Sequence, residues 1–306
     1  MHPQTKIFLE ALAQSRAGGW ESLPLEEARK RFASMRPLFG CGPELPHIED
    51  LQLDHGVGLR VYRPSLDPML PCLVFYHGGG WVLGDLDTHD SLCRQVCHHA
   101  HAIVVSVDYR KAPEFPYPIP LNDACQALNY LYCQSKDLGI DSSRIAVGGD
   151  SAGGNLAAAV AIRTTAVGMP KLHSQWLLYP VTDSALDSSS CEAYAEGFGL
   201  RRSTMQWFWD QYAPNPAIRN DPLLSPLQLR QVQGLPPATF YLAELDILHD
   251  EASAYAHHLM QGGVRVKVNT YPGVPHGFMH FAGHFDDGKA ALRRWGQELK
   301  IAFMSP

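Results

Sequence analysis

The 306-residue chain lacks any apolar run near the roughly 18 residues that a membrane-spanning helix needs. It also shows no charged leader followed by an apolar core and a small-residue cleavage site at its start. A soluble, cytoplasmic protein is therefore the expectation. There is no block of five or more like charges, and 25 basic against 31 acidic residues leave a mild net charge of −6. Nucleic acid is not an expected partner, because neither a basic arm nor a basic stripe is present. No G-x-G-x-x-G or G-x-x-x-x-G-K-[ST] segment occurs to cradle phosphates. Internal repeats and low-complexity tracts are likewise missing.

A paired cysteine framework is missing: the seven residues, Cys41, Cys72, Cys93, Cys97, Cys125, Cys133 and Cys191, are an odd number scattered along the chain. An odd count without a secretory pattern predicts reduced thiols, not a disulfide framework. One cluster, Cys93, Cys97, His98, His99 and His101, offers soft and imidazole ligands to zinc. The i,i+4 spacing of Cys93 and Cys97 beside Leu92 and Val96 favours the buried face of a helix, with the histidines at its C-terminal end.

What is present is an ordered change of pattern. The first forty or so residues carry amphipathic helical spacing (Ile7, Phe8, Leu9, Ala11, Leu12, then Leu25, Ala28, Phe32, Met35). Prolines and glycines from Pro37 to Pro46 interrupt it. Short period-two runs follow at 51–53, 59–62, 73–76 and 103–107, the first two predicting an antiparallel pair through the turn at 54–56. Beyond residue 70, strand-like runs alternate with helical ones, the signature of a parallel sheet wrapped by helices. Later strands are predicted at 145–147, 175–179, 239–243 and 264–268, with helices over 250–261 and 289–303. Residues 184–226 break the alternation and carry the aromatic group Trp207, Phe208, Trp209 and Tyr212, which reads as an insertion over one face.

The sharpest signal is Gly149-Asp150-Ser151-Ala152-Gly153-Gly154-Asn155. It has the form G-x-S-x-G, between the strand-like run 144–148 and the helix-like run 156–162. A serine on so tight a strand-to-helix turn is pushed clear of the sheet, and the following helix aims its free N–H groups at the same place. Ser151 is thus the predicted nucleophile. It needs a base and a group to orient that base. Asp246, after the strand at 239–243, and His276, after the strand at 264–268, complete the order Ser, Asp, His. Glu244 and Asp250 are rival acids, with Asp250 suited to opening the next helix. His77-Gly78-Gly79-Gly80-Trp81 follows the strand 73–76, and its consecutive glycines can turn N–H groups inward beside that of Ala152. His77 is read as fixing this loop and not as a base. Asp150 is given a structural hydrogen-bonding role, because neighbours on a sharp turn point apart. His89, His249, His257, His258, His280 and His284 are assigned to surface or core.

These segments, with Gly84-Asp85-Leu86-Asp87-Thr88-His89, Asp108-Tyr109-Arg110-Lys111-Ala112-Pro113-Glu114 and His276-Gly277-Phe278, resemble the hormone-sensitive-lipase-like branch of the α/β-hydrolases, which includes many bacterial carboxylesterases. The resemblance implies an α/β-hydrolase fold with a mostly parallel eight-stranded sheet flanked by helices. It implies a Ser151–His276–Asp246 triad, an oxyanion hole from Gly79, Gly80 and Ala152 supported by His77, Gly78 and Asp150, and no metal or cofactor. It further implies a helical cap formed by residues 1–45 and an insertion near 186–225, over a catalytic domain of 46–306. Short- to medium-chain esters are the implied substrates. Amides cleaved by the same triad, or a non-catalytic ligand receptor, are the alternatives. Two departures from the family pattern stand out: Ile247 where the acid segment commonly has proline, and Lys111 in place of an apolar residue. A homodimer could form through the strand at 264–268, although Arg265 and Lys267 could equally protect that edge.

Overall fold

The computed structural model describes residues 1–14 and 18–304. In chain order the elements are α1 (Pro3–Gln14), α2 (Leu25–Ser34), α3 (Arg36–Phe39), β1 (His47–Gln52), β2 (Gly58–Arg63), β3 (Leu70–Tyr76), α4 (Asp90–Ala100) and β4 (Ile103–Asp108). They continue with α5 (Ile119–Cys133), β5 (Ile140–Asp150), α6 (Ala152–Val167), β6 (Ser174–Leu178), α7 (Ser189–Ala193) and α8 (Arg202–Tyr212). The last are β7 (Ala238–Leu245), α9 (His249–Gln261), β8 (Val266–Pro275) and α10 (Asp286–Met304).

One eight-stranded sheet runs β1-β2-β4-β3-β5-β6-β7-β8. β1 pairs antiparallel with β2 and β2 with β4, while all later pairs are parallel. The strand order reverses around β3, so the loops after β3 and β5 leave the same edge of the sheet side by side. That is where α/β sheets open a crevice for ligands.

The period of two sorts each strand between two cores. Leu70, Cys72, Val74 and Tyr76 of β3 face one apolar cluster, with α5, α6 and α9. Leu73 and Phe75 face the other, with α4 and α10. Cys93 and Cys97 lie buried on the inner face of α4, which is the helix-face reading of that cluster. Burial pushes both thiols up, Cys97 to about 12. All seven cysteines are free.

Several boundaries differ from the sequence expectation. β8 begins at Val266, two residues late, because Val264 N–H donates to the Leu259 carbonyl and closes α9 after Gly263 (φ 85°). It then runs on through Pro272 and Gly273 to Pro275, a stretch that reads as loop in sequence. An outermost strand tolerates proline, since its outward N–H groups have no partner to lose. β5, by contrast, starts earlier than expected, at Ile140. No helix among the described residues is long and apolar enough to cross a membrane.

Candidate active site

β5 ends at Asp150, and Ser151 turns the chain into α6 with φ 55° and ψ −121°. This left-handed, strained conformation is sparsely allowed for a residue with a side chain. The turn is possible only because its walls are bare. A Cβ on Gly153 would fall on the Tyr76 carbonyl of β3. Ser151 is 9% exposed, at the floor of a cavity.

The ends of β7 and β8 bring two further groups to it. Asp246 follows β7 directly and is buried; its Oδ1 accepts the Leu248 N–H at 3.0 Å, so the turn holds with Ile247 in place of proline. The register pairs Leu245 with Pro275, which sets residues 246 and 276 side by side. His276 Nδ1 lies 2.6 Å from Asp246 Oδ2, and its Nε2 lies 3.0 Å from Ser151 Oγ. The Tyr179 ring meets the imidazole edge-on at 4.9 Å. Glu244 instead accepts the Gly273 N–H at 2.6 Å, and Asp250 accepts the Ser190 N–H at 2.8 Å. Neither rival acid engages His276.

The loop after β3 forms the facing wall. Gly79 (φ 104°) and Gly80 (φ 61°) line the cavity together with Ser151. A Cβ on Gly80 would enter the Phe208 ring of α8. Ala152 is the first residue of α6, so its N–H is one of the free amides of a helix start. Gly78 N–H donates to Asp150 Oδ1 at 2.8 Å, tying the loop to the residue before the serine. His77 is fully buried, with Nδ1 2.8 Å from the Gly78 carbonyl and its ring stacked on Tyr109 at 4.4 Å. The Tyr109 hydroxyl donates to the His77 carbonyl at 2.7 Å. Lys111 Nζ reaches Asp108 at 2.6 Å, and that carboxylate lies 3.8 Å from His77 Nε2. Burial lowers the His77 pKa, with Asp108 opposing.

Sequence reasoning missed a second buried group beside Ser151. His89 and His280 stack face to face at 4.0 Å, and Phe39 stacks on His280 at 3.8 Å. Both imidazoles are held by Thr88: His89 Nδ1 lies 3.0 Å from its Oγ1, and His280 Nε2 lies 2.9 Å from its carbonyl. His89 Nε2 sits 3.3 Å from Asp150 Oδ1. Burial alone would raise the Asp150 carboxyl, but His89 and His280 hold it down at about 2. Burial, then His89, lowers His280 to about 3. Among the described residues, His89, Asp150 and His280 are the one group close enough to bring three donor atoms within 4.8 Å. The two imidazole rings are parallel to within 4° and 4.0 Å apart, so their lone pairs lie in separate planes and do not converge on one ion. The only sequence signal was Thr88-His89 within the family segment. The partner His280 lies 192 residues from Thr88.

The cavity of about 250 Å³ is walled by α1, α2 and α8. Phe8, Leu9, Leu12, Trp20, Phe32 and Met35 supply one side, and Leu200 and Phe208 the other. The aromatic group of α8 divides. Phe208 faces the cavity, whereas Trp209 and Tyr212 are buried against Trp81, at 4.8 and 4.3 Å.

A strained serine at a strand-to-helix turn, on this sheet order, defines an α/β-hydrolase. The family model described as "alpha/beta hydrolase fold" matches residues 73–280, and the chain belongs to this family, in its hormone-sensitive-lipase-like branch. An ethyl acetate hydrolase of Pseudomonas putida is 38% identical over 307 residues, covering 95% of this chain and 96% of that one. A carboxylesterase of Mycobacterium tuberculosis is 40% identical, covering 84% and 83%. Among solved structures, an ester hydrolase from the metagenome of Lake Arreo, in complex with a derivative of bipyridine phosphonate, superposes with a TM-score of 0.95 at 35% identity over all of both chains. A thermostable esterase from P. putida gives 0.93 at 36%, covering 100% and 98%.

Proposed function

We infer that this chain is a serine carboxylesterase acting on short- to medium-chain esters, with Ser151 as nucleophile, His276 as base and Asp246 as the group that orients it. The observation that carries this reading is the continuous hydrogen-bonded line from Asp246 through His276 to Ser151 at the floor of an apolar cavity. The ester hydrolases among its relatives support it.

Ser151 Oγ attacks the ester carbonyl as His276 Nε2 takes its proton, and Asp246 steadies the imidazolium. The carbonyl oxygen becomes an oxyanion facing the amides of Gly79, Gly80 and Ala152. Its collapse breaks the ester C–O bond, and His276 returns the proton to the departing alcohol. Water, deprotonated by His276, then releases the acid and regenerates Ser151. Gly78, His77 and Asp150 brace the oxyanion loop through the contacts described above. The receptor alternative loses its ground, because a base in hydrogen-bond reach of the serine serves no purpose in binding alone.

Residues 1–45 and about 186–225 act as a cap on the catalytic domain of 46–306. The contacts that join the two parts support this: Ser203 and Thr204 of α8 donate to Glu21 at 2.8 and 2.5 Å. The free thiols suit the reducing cytoplasm. Two copies pair through β8, one of the two edge strands, where Val268 is 39% exposed.

The test is the initial rate on p-nitrophenyl esters from acetate to palmitate, beside matched anilides. A maximum at short or medium acyl chains, with anilides far slower, is expected. Preference for the anilides would move the reading to an amidase.

A further inference from the structure

α2 carries two arginines toward the body of the protein, and they end differently. Arg29 is fully engaged: it grips Glu114 with two nitrogens at 2.7 and 2.8 Å and donates to the Val82 and Ala112 carbonyls, each at 3.0 Å. Arg31, half-buried in the last turn, lines the cavity above Ser151. Its guanidinium lies over the Trp20 ring, 5.7 Å from the centroid. Among the described residues it has no carboxylate and no hydrogen-bond acceptor.

The other polar groups facing this cavity are committed. Thr204 donates to Glu21, and Arg201 pairs with Glu196 at 3.3 Å. His280 and His89 are held by Thr88, Asp150 accepts from Gly78, and His276 spans Asp246 and Ser151. The remaining lining is apolar, from Phe8 and Leu12 to Phe32 and Met35. Among the described residues, the cavity therefore offers a hydrocarbon-lined path from the serine and one unanswered cation with a planar fork of donors. Such a fork matches a carboxylate, and the Trp20 face pre-orients it.

We propose that Arg31 is a specificity site for esters whose acyl chain ends in a carboxylate, that is, half-esters of dicarboxylic acids. The proposal rests on the esterase reading above and names its substrate class. The acyl methylenes lie along the apolar wall, and the terminal carboxylate meets Arg31.

The experiment compares monoethyl esters of four- to eight-carbon dicarboxylic acids with ethyl esters of monocarboxylic acids of equal length. Wild type is expected to show a lower KM for the half-ester at one or two chain lengths. Arg31→Met should raise that KM about tenfold or more, as for loss of a charge-assisted pair. Its kcat, and both constants for the neutral ester, should stay within about twofold. Arg31→Lys should restore part of the loss. In wild type, the free dicarboxylate of the preferred length should inhibit competitively and weaken as salt rises, whereas the monocarboxylate should not. This readout decides the matter even if the Arg31 variants fold poorly. Equal treatment of the half-ester and neutral ester by wild type, or equal inhibition by mono- and dicarboxylate, overturns the proposal. Absence of turnover on any ester would instead be the failure of the esterase reading.

Discussion

Ser151 sits at φ 55° because the local sequence leaves no alternative: bare glycines on both sides let β3 approach so closely that only this turn fits. The residue scale was where sequence spoke most clearly, since Ser151, Asp246 and His276 each stand just past a strand whose pattern can be read. Asp246→Asn should lower kcat about 10⁴-fold while leaving the melting temperature close to wild type, as a histidine held in the wrong tautomer would do. Steady-state kinetics with a melting curve checks this. Gly80→Ala should displace either Phe208 or the loop and cost kcat roughly 10²–10³-fold, the scale of a lost oxyanion donor. A variant with unchanged kcat would remove Gly80 from the oxyanion loop. The stack of Phe39, His280 and His89 escaped the sequence for a physical reason. Its rings come from three distant segments, and a histidine carries no mark of which ring it will face.

At the scale of elements, period two located most strands, but it failed where side chains answered to something other than the sheet. Val264 was lost to β8 because it closes α9, and Pro272 and Pro275 hid the strand's second half because an outer edge spares them any ladder bond. α9 also carries Glu251, whose Oε1 accepts the Thr182 and Asp183 N–H groups at 2.7 and 3.1 Å in the segment after β6. Burial raises its pKa from 4.5 to about 8, against those two hydrogen bonds. The folded state thus holds a proton that the unfolded chain releases. This contribution to stability is fully present below about pH 4.5 and is lost as pH rises through about 8. Glu251→Gln keeps the accepting oxygen and cannot ionise. Its melting temperature should fall less than that of wild type between pH 5 and 9; parallel curves would contradict this.

For the whole molecule, the alternation of strands and helices gave the sheet, and its reversal at β3 gave the crevice. What could not be read was how α1, α2 and α8 close over it, because packing between helices far apart in sequence leaves no local period. The buried His280 makes this assembly acid-sensitive. Its folded pKa of about 3 lies below the ordinary 6.5, so the unfolded chain binds the extra proton and stability falls as pH drops from about 6.5 toward 3. His280→Phe, which keeps a ring against Phe39, should lose less stability than wild type over that window, as read by denaturant unfolding. Pairing through β8 predicts twice the chain mass by light scattering, and a single-chain mass would remove the dimer.

The most direct test of the central claim is titration with a p-nitrophenyl alkylphosphonate, followed by peptide mapping. The account predicts release of one equivalent of p-nitrophenolate per chain, a phosphonyl adduct on Ser151, and neither in Ser151→Ala. An adduct on another residue, or full release from the Ser151→Ala variant, would contradict it.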